Sequence, residues 1–353
     1  MVQIIKKQIN SKSYFGPSVG MAVGLCLGFF LGRRAGDYGN VGMRGSEIPA
    51  VPCKISPTDT VEKIQLQVEN VSTKNVPSLP TCSRSEKLDS ITKVTAKPGE
   101  YRVPTKAEAE AFVADDSYLK HLQWNITPEV RLPGVSDVAE FIFNSMDVPG
   151  NLEGKTVLDI GTVNGCTAFE MERRGATRVY AMDIFNPEHH GFSKLHSLLN
   201  SKVTFLQASL YYLPEFFEDK TFDFIAYSGV IYHLRNPMSS VDALYKVLKD
   251  DGILLVETAA ANAPTPKPGD EHLQWIGWCK GAKCNKDSTN TFFFTPDSLT
   301  SFFEDNGFKL KRIVENSSNR LMAVFVKVPE RTIGYGDVNA DIVLPVFPCP
   351  KDV

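Results

Sequence analysis

The stretch from Lys155 to Ile184 constrains the fold more than any other part of the sequence. It contains a short apolar run with an acid near its end, a tight turn bounded by glycines, a segment of helix-forming composition and a second apolar run. In order these segments are Thr156–Ile160, Gly161–Gly165, Cys166–Arg174 and Val179–Met182, with Asp183 at the end of the second run. This order predicts a strand, a turn, a helix and a second strand.

The turn is typical of a site for a nucleoside cofactor. Gly161 and Gly165 let the backbone approach a ligand closely, and the following helix offers free amide groups at its start. The Asp183 carboxylate can accept hydrogen bonds from both hydroxyls of a ribose. The Gly-x-Gly-x-x-Gly spacing of dinucleotide sites is absent because Val163 occupies the middle of the turn. This departure argues against NAD and favours S-adenosylmethionine as the cofactor.

The turn and the acid after it resemble motif I of class I S-adenosylmethionine-dependent methyltransferases. Phe222–Pro237 and Gly252–Thr258 resemble the branch that includes the bacterial enzymes which install a carboxymethoxy group on the tRNA wobble uridine. The similarity covers roughly 101–327. It implies a Rossmann-like α/β fold with a mostly parallel seven-stranded sheet, helices on both faces, a terminal antiparallel strand and a preceding helical cap. Helices that alternate with apolar strands independently indicate a parallel sheet covered on both faces.

The expected cofactor contacts lie in the turn and in the loops at the strand ends. They are Asp159, Gly161, Thr162, Gly165, Asp183, Ile184, Ser209 and Ser228. Many relatives place an acid against the adenine amino group near the position of Ser209. The resemblance therefore implies that a main-chain carbonyl or a hydroxyl makes that contact in this chain.

The candidate catalytic residues are Tyr232, His233 and Arg235, in the loop after a predicted strand. Ligands of open α/β folds lie at the carboxyl ends of the strands. Methyl transfer depends mainly on alignment, and a hydroxyl acceptor also needs a base. His233 can accept a proton near neutral pH and Arg235 can bind an anionic acceptor. Alternatively, Tyr232 and His233 pack the cofactor pocket and Arg235 holds the loop.

The tRNA-modifying enzymes carry His-Arg-Arg in this loop, whereas this chain has Leu234 after the histidine. The chain therefore lacks one cationic side chain that could pair with the carboxylate of a carboxylated cofactor. This difference favours ordinary S-adenosylmethionine.

Composition adds few constraints. The chain has 353 residues, 42% of them hydrophobic, which is enough for one large or two ordinary domains. A net charge of −3 gives no overall indication of nucleic-acid binding. The seven cysteines are scattered and indicate no disulfide framework. Cys279, Cys284 and His272 do not match the spacing of common zinc sites, so we expect no metal there and either a disulfide or plain thiols.

The N-terminal part is expected to anchor the chain in a membrane. Residues 15–32 carry no charge, lie between basic residues and are just long enough to span a bilayer. A signal peptide or an organelle presequence is the alternative. The charge asymmetry slightly favours a translocated catalytic domain, and the arrangement resembles Golgi type II enzymes. The predicted segments are a tail (1–14), an anchor (15–32), a flexible stem (33–100), a helical cap (101–150), a methyltransferase domain (151–330) and a C-terminal tail (331–353).

Three functions are compatible with the sequence. The leading hypothesis is a membrane-anchored methyltransferase that acts on a hydroxyl-bearing small molecule or glycan. The alternative within the enzyme class is a tRNA wobble-uridine modifying transferase, so nucleic acid is a possible but less favoured partner. The second alternative is a cofactor-binding scaffold without transferase activity, which Val163 and Ser209 suggest as departures from the family pattern. The sequence leaves the acceptor and the oligomeric state open.

Overall fold

The computed structural model describes residues 82–118, 120–262, 273–279, 284, 287–315, 319–329 and 331. The strands are β1 (Thr92–Val94), β2 (Trp124–Asn125), β3 (Arg131–Leu132), β4 (Thr156–Ile160), β5 (Arg178–Asp183), β6 (Thr204–Gln207), β7 (Phe222–Ser228), β8 (Leu248–Ala259), β9 (Ile276–Trp278), β10 (Phe292–Phe294), β11 (Phe308–Glu315) and β12 (Arg320–Lys327). The α-helices are α1 (Arg84–Ile91), α2 (Lys106–Ala114), α3 (Val138–Ser145), α4 (Cys166–Arg173), α5 (Phe192–Leu198), α6 (Leu213–Phe216), α7 (Pro237–Val247) and α8 (Pro296–Glu304).

Within the described residues, one eight-stranded sheet has the order β1-β6-β5-β4-β7-β8-β12-β11. Neighbouring strands from β6 through β8 are parallel. Strand β12 is antiparallel to both β8 and β11, and β1 is antiparallel to β6. The predicted α/β Rossmann-like fold with a reversed strand near the end of the sheet is confirmed, and the sheet has one strand more than the seven expected.

Strand β4 lies in the middle of the sheet because both of its faces are apolar. Its alternate side chains point to opposite faces, and Val157 and Leu158 are both fully buried. Val157 belongs to a core cluster with Phe169 of α4 and Phe192 of α5. Leu158 belongs to a second cluster with Leu244 of α7. Helices therefore cover the sheet on both faces, as its continuous apolar strands require.

The topology brings several loops to one edge of the sheet. The parallel strands β4, β5, β7 and β8 all end there, so the turn after β4 lies beside the ends of its neighbours. Strand β12 runs in the opposite direction, and its first residue, Arg320, pairs with Ala259 at the end of β8. This edge therefore gathers residues from distant parts of the chain.

The predicted flexible stem is wrong for its last part. Ser83 caps α1 with a capping box, and Ile91 at the end of that helix is buried in the core. β1 then pairs with the outer strand β6. Composition alone suggested a segment unable to bury apolar surface, but Ile91 enters the core and β1 covers the edge of the sheet at β6.

The described residues do not test the predictions for the membrane anchor, the rest of the stem and the two tails. The tail, the anchor at 15–32, the rest of the stem and nearly all of the C-terminal tail lie outside them. Among the residues that the structure describes, no helix is long and apolar enough to cross a membrane.

The predicted cap over 101–150 contains the helices α2 and α3. Thr105 caps α2 through a capping box with Glu108. The helix ends at Ala114 because Asp115 is extended and its side chain accepts a hydrogen bond from the Ser117 backbone. Between α2 and α3 the chain forms the antiparallel pair β2–β3, which helical composition did not predict.

Candidate active site

The turn after β4 is closed by main-chain hydrogen bonds. The Gly161 amide donates to the Met182 carbonyl at 2.8 Å, and the Gly165 amide donates to the Thr162 carbonyl at 2.7 Å. Gly161 has a φ of +72°, and a Cβ at this position would lie 2.4 Å from Val230 Cγ2. Glycine is therefore required both by the backbone conformation and by the side chain that packs against it from the loop after β7.

Asp183 holds this turn at the end of β5. Its Oδ2 accepts a hydrogen bond from the Val163 amide at 2.9 Å, and its Oδ1 accepts one from the Phe185 amide at 3.0 Å. Val163 has a φ of +53°, which is strained for a β-branched residue and persists only where the surroundings impose it. Because a carboxylate has about four acceptor positions, Asp183 can still accept from the hydroxyls of a ribose.

Asp159 and Thr162 lie beneath the turn. Both are almost completely buried, and the Thr162 hydroxyl donates to Asp159 Oδ2 at 2.6 Å. Burial raises the pKa of Asp159 to about 7, against the opposing effect of the Thr162 hydrogen bond. The side chains of these two predicted cofactor contacts are therefore paired with each other and support the turn from below.

Gly165 begins α4 with a φ of +87°. A Cβ there would lie 2.5 Å from Phe169 Cε2 and 2.6 Å from Phe192 Cδ2. The rings of Phe169 and Phe192 stack with their centroids 5.0 Å apart. The missing side chain of this glycine makes room for that aromatic pair, so the role that the structure shows for Gly165 is helix packing.

Apolar side chains are exposed beside Asp183. Ile184 is 64% exposed and Phe185 is 50% exposed. Ser209 follows the neighbouring strand β6 and is half-buried, and its carbonyl accepts a hydrogen bond from the Tyr212 amide at 3.1 Å. Strands β5 and β6 are held together here by the Ala208 amide, which donates to the Asp183 carbonyl at 3.0 Å. The predicted contacts Ile184 and Ser209 thus follow two neighbouring strands at the same edge of the sheet.

A buried ion pair lies at the ends of β7 and β8. Glu257 is 2% exposed and accepts hydrogen bonds from Nε of Arg320 and, at 3.0 Å, from its NH2 group. The same NH2 group donates to the Tyr232 hydroxyl at 3.1 Å, and the guanidinium lies 4.7 Å from the centre of that ring. Ser228 donates its hydroxyl to Glu257 at 3.3 Å. Burial raises the pKa of Tyr232, so this hydroxyl stays protonated.

His233 is half-buried next to this pair. Its ring lies 4.2 Å from that of Tyr232, and its Nδ1 is 2.9 Å from the Thr289 hydroxyl. That hydroxyl in turn donates to Asp287 Oδ1 at 2.6 Å. Burial lowers the pKa of His233, which favours the neutral imidazole at physiological pH. Arg235 is exposed, two residues farther along the loop.

The structure therefore brings the predicted residues together at one edge in two groups. Asp183, Ile184 and Ser209 lie around the turn, and Ser228, Tyr232 and His233 lie around the buried ion pair. Sequence reasoning missed the partners of the second group, which are Arg320, Asp287 and Thr289. Arg320 could have been found, because the first residue of a reversed strand lies at the same edge as the ends of parallel strands. No local pattern marks Asp287 or Thr289.

Cys279 and Cys284 form a disulfide with Cα atoms 5.7 Å apart. Of the two possibilities that the sequence left open, the disulfide is therefore the one that the structure contains. His272, the third residue considered as a metal ligand, lies outside the described residues. The disulfide lies in the segment between β9 and β10, which also carries Asp287 and Thr289.

A family model matches the part of the chain that contains most of the sheet. The family model described as "Methyltransferase domain" matches residues 136–313, which is half of the chain. The chain belongs to the methyltransferase domain family. With its strand order and reversed strand it is a class I S-adenosylmethionine-dependent methyltransferase, and S-adenosylmethionine is its cofactor. Family membership supports an enzyme over the scaffold alternative.

The methyltransferase is similar in sequence to curated proteins named tRNA U34 carboxymethyltransferase. The protein from Photobacterium profundum is 29% identical over 169 residues, covering 47% of this chain and 48% of the relative. The protein from Nautilia profundicola is 25% identical over 202 residues, covering 56% of this chain and 59% of the relative. The chain thus spans about half the length of the curated relatives it matches. A solved structure of a putative S-adenosylmethionine-dependent methyltransferase from Listeria monocytogenes is 16% identical, covers 54% of this chain and 98% of its own, and has a TM-score of 0.42.

The residues at the edge of the methyltransferase sheet fit the cofactor. Asn164 Oδ1 is buried in the turn and has no hydrogen-bond partner among the described residues, so an acceptor remains for the ammonium group of a ligand. Asp183 retains acceptor capacity for a ribose, and Ile184 offers an exposed apolar surface for a base. Gly161 is half-buried, so part of its backbone remains exposed in the turn. These four residues would hold S-adenosylmethionine.

Proposed function

We propose that this methyltransferase alkylates a hydroxyl oxygen and that His233 is the base that accepts the hydroxyl proton. When bound, S-adenosylmethionine supplies an electrophilic methyl group. The observation that carries the proposal is the position of His233 at the carboxyl edge of the sheet, half-buried and already hydrogen-bonded through Nδ1. Its lowered pKa keeps the ring neutral, and Nε2 is the nitrogen that remains for the acceptor.

The remaining residues of the loop have supporting roles. Tyr232 is fixed by the guanidinium of Arg320 and stays protonated, so its hydroxyl can donate a hydrogen bond to an acceptor oxygen. Arg235 is exposed and can pair with an anionic group of the acceptor. Catalysis then combines alignment at the sheet edge with removal of one proton.

The test compares wild-type chain with His233→Ala, using cofactor labelled in the methyl group and a fractionated cell extract to find the acceptor. We expect the turnover number of His233→Ala to fall roughly 10²–10⁴-fold, the usual contribution of a general base, with nearly unchanged cofactor affinity by calorimetry. An equal loss of cofactor affinity and turnover would instead show that His233 builds the pocket, and catalysis would rest on positioning alone.

Transfer to the wobble uridine of tRNA is one candidate for the acceptor. The curated relatives with that named activity match about half of the chain, and they support tRNA more strongly than a glycan. Incubation with tRNA that lacks wobble modifications gives the test. Label retained on tRNA at the wobble position supports this acceptor, and label found only in small-molecule or glycan fractions rules it out.

A hydroxyl-bearing small molecule or glycan is the other candidate. It rests on the predicted anchor at 15–32 and on the disulfide Cys279–Cys284, since disulfides persist mainly in oxidising compartments. This candidate includes the proposal that the catalytic domain lies in the lumen of the Golgi or another endomembrane compartment. Retention in the membrane pellet after alkaline carbonate washing, with protease protection in sealed microsomes, supports it. Digestion of the domain in intact vesicles excludes a luminal acceptor and leaves tRNA.

A further inference from the structure

We propose that Asp287 and Thr289 are positioning residues that hold the neutral imidazole of His233 with its proton on Nδ1, which leaves the lone pair of Nε2 to act as the base. The proposal rests on the proposed function of His233 and goes further by assigning the tautomer and the residues that impose it. The two residues lie in the segment between β9 and β10, more than fifty positions from His233 in the sequence.

The direction of the hydrogen bonds follows from counting protons. The Thr289 hydroxyl has one proton and lies near two acceptors, Asp287 Oδ1 at 2.6 Å and His233 Nδ1 at 2.9 Å. A carboxylate is the stronger acceptor, and the hydrogen bond from Thr289 itself lowers the pKa of Asp287 and keeps it ionised. The hydroxyl proton therefore points to Asp287. Oγ1 of Thr289 is left as an acceptor and can bond to His233 only if Nδ1 carries the proton.

The segment that carries Asp287 and Thr289 is held at both sides. The Thr289 amide donates to Asp287 Oδ1 at 2.8 Å, which fixes the two residues to each other. The Asp287 amide donates to the carbonyl of Cys284, a member of the disulfide, at 3.1 Å. On the other side, the Thr291 amide donates to the Tyr232 carbonyl at 2.8 Å. Thr289, fixed by Asp287, therefore contacts the ring of His233 from a defined direction, which a positioning role requires.

The groups around His233 predict how substitutions near it change its pKa. Burial has the largest effect on the pKa of His233 and lowers it, and the charge of Arg320 lowers it too. The main-chain hydrogen bond at Thr289 and the charges of Asp287 and Glu257 raise it. Removing the Asp287 charge should lower the pKa of His233 further. The acidic limb of the kcat/KM profile should then move to lower pH. Thr289→Val keeps that charge, so it should move the limb less than Asp287→Asn does.

The first experiment measures the tautomer directly by NMR of the full-length chain labelled with ¹⁵N only in histidine. The chain has six histidines, so the His233 signals are assigned by their loss in His233→Gln. At a pH above the pKa of His233, we expect a protonated Nδ1 and an unprotonated Nε2. An Nε2 that carries the proton in the wild-type chain overturns the proposal. This result needs no acceptor, and His233→Gln serves only to assign the signals.

Three variants then separate positioning from support of the fold. Thr289→Val removes the hydroxyl at nearly constant shape and should lose the single tautomer, whereas Thr289→Ser keeps the hydroxyl and should restore it. Asp287→Asn introduces an amide that can donate to Thr289, so the fraction of His233 protonated on Nε2 should rise. Wild-type tautomer populations in all three variants would contradict the proposal.

Measurements of turnover distinguish this proposal from the proposed function of His233. Thr289→Val should lower kcat by roughly 10²-fold, at the low end of a general base's contribution, with cofactor affinity unchanged and with activity restored in Thr289→Ser. If His233→Ala lowers turnover but Thr289→Val and Asp287→Asn leave turnover and its pH profile unchanged, the positioning role is refuted and the base remains. If His233→Ala itself leaves turnover unchanged, the proposed base is refuted whatever the tautomer.

Discussion

Replacing Arg320 with methionine is expected to destabilise the fold by about 3–5 kcal/mol, because it leaves a buried carboxylate without its partner. Glu257 is 2% exposed and receives two charge-assisted hydrogen bonds from Arg320. Such bonds contribute roughly 1.5–3 kcal/mol each, so two of them give about 3–6 kcal/mol, which overlaps this range. After the substitution, the carboxylate would keep the hydrogen bond from the Ser228 hydroxyl at 3.3 Å, which carries no charge.

A double-mutant cycle measured by urea unfolding at pH 7 tests this reasoning. Glu257→Gln removes the charge at nearly constant shape, so the double variant should be more stable than Arg320→Met alone. A cost below about 1 kcal/mol for Arg320→Met, or a double variant that is less stable than Arg320→Met, would refute the buried-charge argument.

Three further predictions concern the turn. Asp183→Ala should weaken S-adenosylmethionine binding by about 1.5–3 kcal/mol, because it removes the charged acceptor that also holds the strained turn; unchanged affinity in calorimetry would contradict this. Gly161→Ala should cost about 1–3 kcal/mol in urea unfolding, since its Cβ would lie 2.4 Å from Val230 Cγ2 at a φ of +72°. The matched control is Gly150→Ala, where no atom lies within 4 Å of the added Cβ, and an equal cost at both positions would refute the steric argument. Burial raises the pKa of Asp159 from its ordinary 3.8 to about 7, so the fold should lose stability as pH rises between these values. Asp159→Asn should remove that slope from the pH dependence of unfolding, and an unchanged slope would place the titration elsewhere.

Local sequence signals predicted the central part of the fold because they are imposed by short-range physics. The apolar run of β4, the glycine turn and the acid at the end of β5 occupy one continuous stretch, and their spacing permits few alternatives. The start of α8 is set by equally local contacts, since Thr295 caps the helix through a capping box with Ser298. The end of α2 and the ordered segment before residue 100 were not predicted, because both depend on contacts outside the local pattern.

The same distinction between local signals and long-range contacts applies to the candidate active site. The sequence by itself determined the turn around Gly161 and the position of Asp183, since both follow from the order of strands and the conformational needs of glycine. Only the tertiary structure decided what His233 and Glu257 contact. Their partners lie 56 and 63 positions away in the chain, at Thr289 and Arg320. Such pairs leave no periodic signal, because they meet only when a reversed strand and the segment before β10 assemble at the carboxyl edge of the sheet.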